Sequence, residues 1–99
     1  MGPRRRQVVW AIRARRALDD ALIYIAKDSP QNASQIAERV IERADSLATF
    51  SERGRVVPEV NDPTLRELLV DPFRLMYEVH EGEVRIVAFL HQRQLFKRR

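Results

Sequence analysis

The side chains able to do chemistry in this sequence are mostly arginines. Cysteine is absent, which removes thiol nucleophiles, disulfides, thiolate zinc sites and iron–sulfur clusters. The histidines are two, His80 and His91, too few for a metal centre without cysteine. The three glycines, Gly2, Gly54 and Gly82, form no phosphate-cradling loop, so nucleotide motifs are excluded. No metal and no cofactor are expected. Sixteen of the 18 cations are arginine, a side chain suited to two-pronged contacts with carboxylate or phosphate.

The cations are not spread evenly. The chain has 99 residues and a formal charge of +4, the size of one small domain. Residues 1–16 and 92–99 hold ten of the 18 positive charges and no acid. Residues 17–91 carry eight cations against 14 acids, a net −6. A polyanion would therefore meet the two ends of the chain. Residues 1–6 are expected as a basic arm and 92–99 as a basic tail on one domain spanning 1–99. No apolar run approaches the ~20 residues of a membrane helix, and no signal-type apolar stretch follows Arg6. A cytoplasmic protein with no membrane partner is expected.

The elements that must position these groups follow from periodicity. Residues 7–12 read as a strand, with Val8, Trp10 and Ile12 on one face. Residues 15–28 read as a helix whose stripe is Leu18, Ala21, Leu22, Ile25 and Ala26. Ser29 is a good N-cap and Pro30 suits the first position of a second helix, with Ile36, Val40, Ala44 and Leu47 on its apolar side. Residues 51–64 form a connector rich in turn chemistry, with a short extended piece at Val56 and Val57. Three strands follow at 65–70, 73–80 and 83–91, separated by Asp71-Pro72 and Glu81-Gly82. The layout is α+β: an N-terminal strand, an antiparallel helical hairpin, then a three-stranded antiparallel meander packed against the helices.

A two-residue loop at Glu81-Gly82 fixes a pairing register. It sets Glu78 opposite Arg85 as an exposed ion pair, Met76 opposite Val87 and Arg74 opposite Phe89. One face is then nearly all apolar and belongs under the helices; it includes Leu75, Tyr77, Ile86, Ala88 and Leu90. The other face mixes Leu65, Glu67, Leu69, Arg74, Met76, Val87, Phe89 and His91. Such a face is expected to meet a partner, the alternative being that the tail covers it through Leu95 and Phe96. His91 lies diagonal to Arg74 in this register, which would bring two basic groups together. Tyr24 and Tyr77 are expected in the core.

From Val9 to Arg93 the chain resembles the ParE/RelE toxins of type II toxin–antitoxin systems, the ParE branch (plasmid stabilisation proteins) above all. The resemblance rests on Trp10 ahead of the first helix, Ala17-Leu18-Asp19-Asp20, Tyr24-Ile25-Ala26 and Pro30 opening a helix that ends Ser46-Leu47-Ala48-Thr49-Phe50. It continues through Glu52-Arg53-Gly54-Arg55-Val56-Val57-Pro58-Glu59, Leu65-Arg66-Glu67-Leu68, Pro72-Phe73-Arg74-Leu75-Met76-Tyr77 and Ile86-Val87-Ala88-Phe89-Leu90-His91. The family fold of two helices on a small antiparallel sheet agrees with the layout above.

The resemblance implies a toxin neutralised by a cognate, ParD-like antitoxin. In the ParE branch it implies inhibition of DNA gyrase by protein–protein contact, with indirect DNA contact, and no catalytic residue. Arg74, Arg93, Leu95, Phe96, Lys97 and Arg98 are the expected target-binding residues. Leu69, Arg74, Met76, Val87 and Phe89 are expected to meet the antitoxin. The alternative is a RelE-like, ribosome-dependent mRNA endonuclease working through Arg74, His91 and Arg93. That chemistry needs a titratable group and several cations around one phosphate. Leu65 and Glu67 stand where the RelE-like enzymes carry lysines, and no tyrosine follows Arg93; both departures count against cleavage. A third reading is a degenerate toxin that only binds its antitoxin and serves in autoregulation.

Overall fold

Ser29 is the point where the helical part of the chain turns back on itself. In this computed structural model, which describes residues 5–96, helix α1 spans Ile12–Asp28 and helix α2 spans Pro30–Ser46. The Ser29 backbone N–H closes α1 on the Ile25 carbonyl, and its Oγ accepts the Asn32 N–H at 3.1 Å to open α2. Pro30 sits where a missing N–H costs nothing. One residue thus caps both helices and makes them antiparallel neighbours.

The strands are β1 (Gln7–Trp10), β2 (Arg55–Val56), β3 (Leu65–Val70), β4 (Phe73–Val79) and β5 (Glu83–His91). They form one sheet in the order β1-β5-β4-β3-β2. The expected three-stranded meander is its centre; β1 adds to it in parallel beside β5, and β2 closes the other edge antiparallel to β3. The sheet is therefore mixed, and the α+β layout stands. The first strand ends at Trp10 rather than Ile12. Ala11 caps α1: its N–H reaches the Ile86 carbonyl and its own carbonyl accepts Arg15 N–H. Ile12 consequently joins the helix and is exposed. The short edge strand holds Arg55 and Val56, one position ahead of the expected Val56 and Val57. Arg6 belongs to the fold rather than to an arm, since it bonds the His80 carbonyl, Ser51 Oγ and, through its N–H, the Ala48 carbonyl.

A bulge in the β4–β5 pair decides which side chains face where. Val79 pairs with Val84, Glu78 with Arg85 and Tyr77 with Ile86, but Met76 pairs with Ala88. Val87 is the extra residue. Beyond it every side chain of β5 changes face relative to an unbroken register. Phe89 turns under the helices and stacks on Phe73 at 4.8 Å. Ala88 and Leu90 turn to the opposite face. The expected Met76–Val87 and Arg74–Phe89 pairs are thereby corrected to Met76–Ala88 and Arg74–Leu90. Glu78 and Arg85 do lie opposite each other, yet Arg85 pairs with Glu83, and Glu78 with His80.

The main core lies between the helices and the sheet, with Leu18, Val40, Leu47, Leu75, Tyr77 and Ile86 at its centre. Burying one large aliphatic side chain of this kind stabilises by about 1.5–3 kcal/mol. The other sheet face is also covered, by the chain itself. Val57, Leu65, Met76 and Ala88 are buried there, beneath Val60 and Phe96. Most of the apolar part of the mixed face is thus internal, but the connector covers it together with Phe96, while Leu95 and Leu69 stay exposed. Tyr24 is exposed rather than core.

Gly54 lets the connector approach the sheet. Its N–H donates to the buried Tyr77 hydroxyl at 2.9 Å. A Cβ here would stand 2.5 Å from the Glu67 carbonyl oxygen and 2.6 Å from Tyr77 Oη. Burial pushes the Tyr77 phenol above its ordinary value, so it stays a neutral hydroxyl. Gly54→Ala is expected to destabilise the fold by about 1–3 kcal/mol, measured as a lower urea midpoint with an unchanged transition slope.

Candidate functional site

Glu67 and Arg74 share the sheet face away from the helices. In the β3–β4 register Glu67 pairs with Met76 and Leu69 with Arg74, which makes Glu67 and Arg74 diagonal neighbours. On its other side Glu67 faces Arg55 of β2. The Glu67 carboxylate has no exposed surface; Arg55 Nε donates to Oε2 at 2.6 Å and Arg74 Nε to Oε1 at 2.7 Å. Each oxygen of a buried charge thus has a cationic donor, the condition under which such a charge is tolerated.

Arg74 is consumed by the same network. It is 5% exposed. Besides Glu67 it gives Nη1 and Nη2 to the two oxygens of Glu59 at 2.8 Å each, and Nη1 also to the Gln94 carbonyl at 2.7 Å. These bonds, first to Glu59 and then to Glu67, hold its guanidinium above its already high value. Glu59 accepts the Phe96 N–H as well, at 3.0 Å. The Arg74 hydrogen bonds are the main cause that lowers the Glu59 carboxyl to about 2. The network therefore alternates in sign, Arg55–Glu67–Arg74–Glu59, and ends on the backbone of the C-terminal segment.

The bulge sends His91 elsewhere. Its ring meets the edge of Phe73 at 6.0 Å on the helix side of the sheet, whereas Arg74 projects from the other face. The expected Arg74–His91 site is therefore not formed. His91 Nδ1 accepts the Arg93 N–H, and its own N–H donates to Gln94 Oε1; it shapes the turn into the tail. Arg93 is exposed, Leu95 is 75% exposed, and Phe96 is half-buried on the second core. Lys97 and Arg98 lie outside the described residues. Of the residues expected to meet the antitoxin, Leu69 is exposed and Val87 half-buried, but Met76, Arg74 and Phe89 are buried and offer a partner almost no side-chain surface. Around Arg74 lies a hollow of about 500 Å³, lined by Arg55, Glu59, Leu69, Gln92, Gln94 and Leu95 among others.

Arg55 and Glu59 are the members of this network that pattern reading misses. The sequence puts Glu67 and Arg74 on one sheet face; that they pair as diagonal neighbours is seen only in the structure. Nothing in the spacing of the connector says that its charges fold onto that pair. Among the described residues no cluster of His, Asp or Glu could hold a metal ion, and no helix is long and apolar enough to cross a membrane.

Residues 8–96 match the family described as the ParE toxin of type II toxin–antitoxin systems, parDE. This chain belongs to the ParE toxin family. Toxin RelE2 of Caulobacter vibrioides is 42% identical over 90 residues, covering 90% of this chain and 98% of that protein. Y4kP of Sinorhizobium fredii is 32% identical over 91 residues, 91% of this chain and 92% of the relative. A solved structure titled as the chromosomal ParDE toxin–antitoxin system from P. aeruginosa matches with a TM-score of 0.72 at 21% identity, over 89% of this chain and 97% of that one. At that identity the likeness is one of fold. It places this ParE-family chain on the architecture derived above.

Two outcomes are expected for the network. Arg74→Ala strands Glu59 and half of Glu67 and is expected to cost about 3 kcal/mol, read from urea unfolding. Glu59 titrates below its ordinary 4.5, at about 2, so its contribution is complete above pH 4.5 and fades as pH falls toward 2. The stability difference between wild type and Glu59→Gln is expected to be constant near neutrality and to shrink across that acid window.

Proposed function

We propose that this ParE-family toxin inhibits DNA gyrase by protein–protein contact in the cytoplasm and is neutralised by a cognate, ParD-like antitoxin. The chain would act as one domain spanning 1–99. The observation that carries the choice of a binding mechanism is the state of Arg74. A nucleolytic site needs cations facing a scissile phosphate and a titratable group beside them. Here Arg74 is buried and committed to two carboxylates, and His91 lies on the other side of the sheet. A phosphate arriving at this face would meet the partly exposed Glu59 beside Arg55, with Arg74 and Glu67 buried behind them. These features favour contact over cleavage.

The surface proposed to reach the target is the basic C-terminal segment: Arg93 and Leu95, with Lys97, Arg98 and Arg99 after Phe96. Its cations suit contact with a gyrase–DNA complex, where DNA phosphates add to the attraction. Exposed Leu69 and Leu95, which both line the hollow beside Arg55, are the proposed apolar contacts for an antitoxin segment.

Deleting the tail after Gln92 would also remove the Gln94 and Phe96 bonds and so perturb the fold. Charge removal tests the tail more cleanly. In a gyrase supercoiling assay the wild type is expected to inhibit, with cleaved DNA accumulating and antitoxin reversing the effect. Arg93→Gln combined with Lys97→Gln, Arg98→Gln and Arg99→Gln is expected to lose that inhibition while remaining folded. No effect of the wild type at large excess, with mRNA cut on ribosomes instead, would establish the RelE-like reading. Neither activity, with antitoxin binding retained, would leave a degenerate toxin.

A further inference from the structure

The outer face of the helical hairpin carries two features that a solvated surface does not require. The first is apolar. On α1, Ile12 is 72% exposed and Ile23 62%; they stand about three turns apart and so share one side of the helix. On α2, exposed Ile41 and Ala37 lie in a shallow groove of about 650 Å³ that Glu38, Glu42 and Asp45 also line.

The second is charge. Arg13, Arg15 and Arg16 stand in the opening turns of α1, whose first turn holds no acid. Glu42 and Asp45 stand in the closing turns of α2. Both placements oppose the helix dipoles, which favour acids at an N-terminus and cations at a C-terminus. The fold does not compensate them. Arg15 pairs with Asp19 of its own helix, while Arg13, Arg16, Glu42 and Asp45 form no ion pair with another described residue. Arg39 and Arg43 of α2 are turned aside, to the Asp71 and Leu69 carbonyls.

The one-residue junction at Ser29 makes the helices antiparallel, so the opening turns of α1 lie level with the closing turns of α2. This end of the hairpin is therefore basic on one helix and acidic on the next. A partner of one sign would be attracted by one helix and repelled by the other. A second copy satisfies both. A two-fold axis running along the hairpin sets α1 of each protomer on α2 of its partner, antiparallel and at the same level. Arg16 of one protomer then faces Glu42 of the other, and the Ile12 side of α1 meets the Ile41 groove. The four helices pack as an up-and-down bundle.

We infer that this face is the interface of a symmetric homodimer of the toxin. Two helices of 17 residues each offer about 500 Å² per protomer, the low end for specific association. The dimer is accordingly expected to have a dissociation constant on the order of micromolar. Nothing in it depends on the toxin's target.

Sedimentation equilibrium of the full chain tests the interface by exchanging charges. The wild type is expected to dimerise between about 1 and 100 µM and to dissociate as salt rises. Arg16→Glu and Glu42→Lys each place like charges at both symmetric contacts, and each alone is expected to weaken the dimer about tenfold or more. Mixed in equal amounts, the two variants have opposite charges at both contacts, and the mixture is expected to associate within about twofold of the wild type. Rescue on mixing also excludes misfolding as the cause of the loss. A dimer that neither substitution weakens, or variants that stay apart when mixed, would overturn this interface. A wild type that stays monomeric up to about 300 µM would overturn the dimer; if Arg16→Glu then also lost antitoxin binding, the face would belong to the antitoxin.

Discussion

A carboxylate with no exposed surface sits on β3, one strand in from the sheet edge, and much of the surrounding structure is arranged to keep it paired. Glu67 is reached by Arg55 from the edge strand and by Arg74 from the neighbouring central strand. Removing either cation would leave a buried charge short of a partner, the costly case for an ion pair in a protein interior. Arg55 reaches Glu67 because β2 runs alongside β3, and that edge lies close because Gly54 lets the connector press against Tyr77 and the Glu67 carbonyl. Arg74 then has donors left over, and Glu59 and the Gln94 carbonyl take them. One buried charge thus links the connector, three strands and the tail.

The same arrangement commits Arg74 to partners within the fold. Arginine in a nucleolytic site must be free to meet a phosphate that comes and goes. Arg74 has no such freedom. Its partners are part of the fold, and exchanging them for a substrate would expose a second core that includes Met76, Leu65 and Ala88. The face resembles a cationic surface in sequence and is an internally neutralised one in structure.

Much of the fold was legible because its determinants are local. Ser29-Pro30 marks the helix junction, the apolar stripes give both helices, and Asp71-Pro72 and Glu81-Gly82 mark the strand turns; all are read within a few residues. The order of β1 beside β5 is a long-range fact with no local signature. The bulge at Val87 is harder still: the residues around it alternate well enough to support an unbroken strand, and only the packing of Phe89 on Phe73 shows that one has been skipped. That single residue moved Phe89 and His91 to the helix side and dissolved the expected pairing of His91 with Arg74. Glu59 was hidden for a related reason, since a connector's path over a sheet is set by what it covers.

The parallel contact between β1 and β5 joins the two most distant strands of the sheet in sequence, with Gln7 beside Glu83. Every other neighbouring pair of strands forms over a shorter stretch of chain. Contacts between remote segments carry the largest loop-closure cost and tend to form late. During synthesis the helical hairpin can collapse early, but the sheet lacks its first strand's partner until residue 86 has been made. The basic tail and its anchorage come later still. A ribosome making this protein therefore holds an incomplete sheet for most of the time of translation, and the finished surface exists only once nearly all of the chain has emerged.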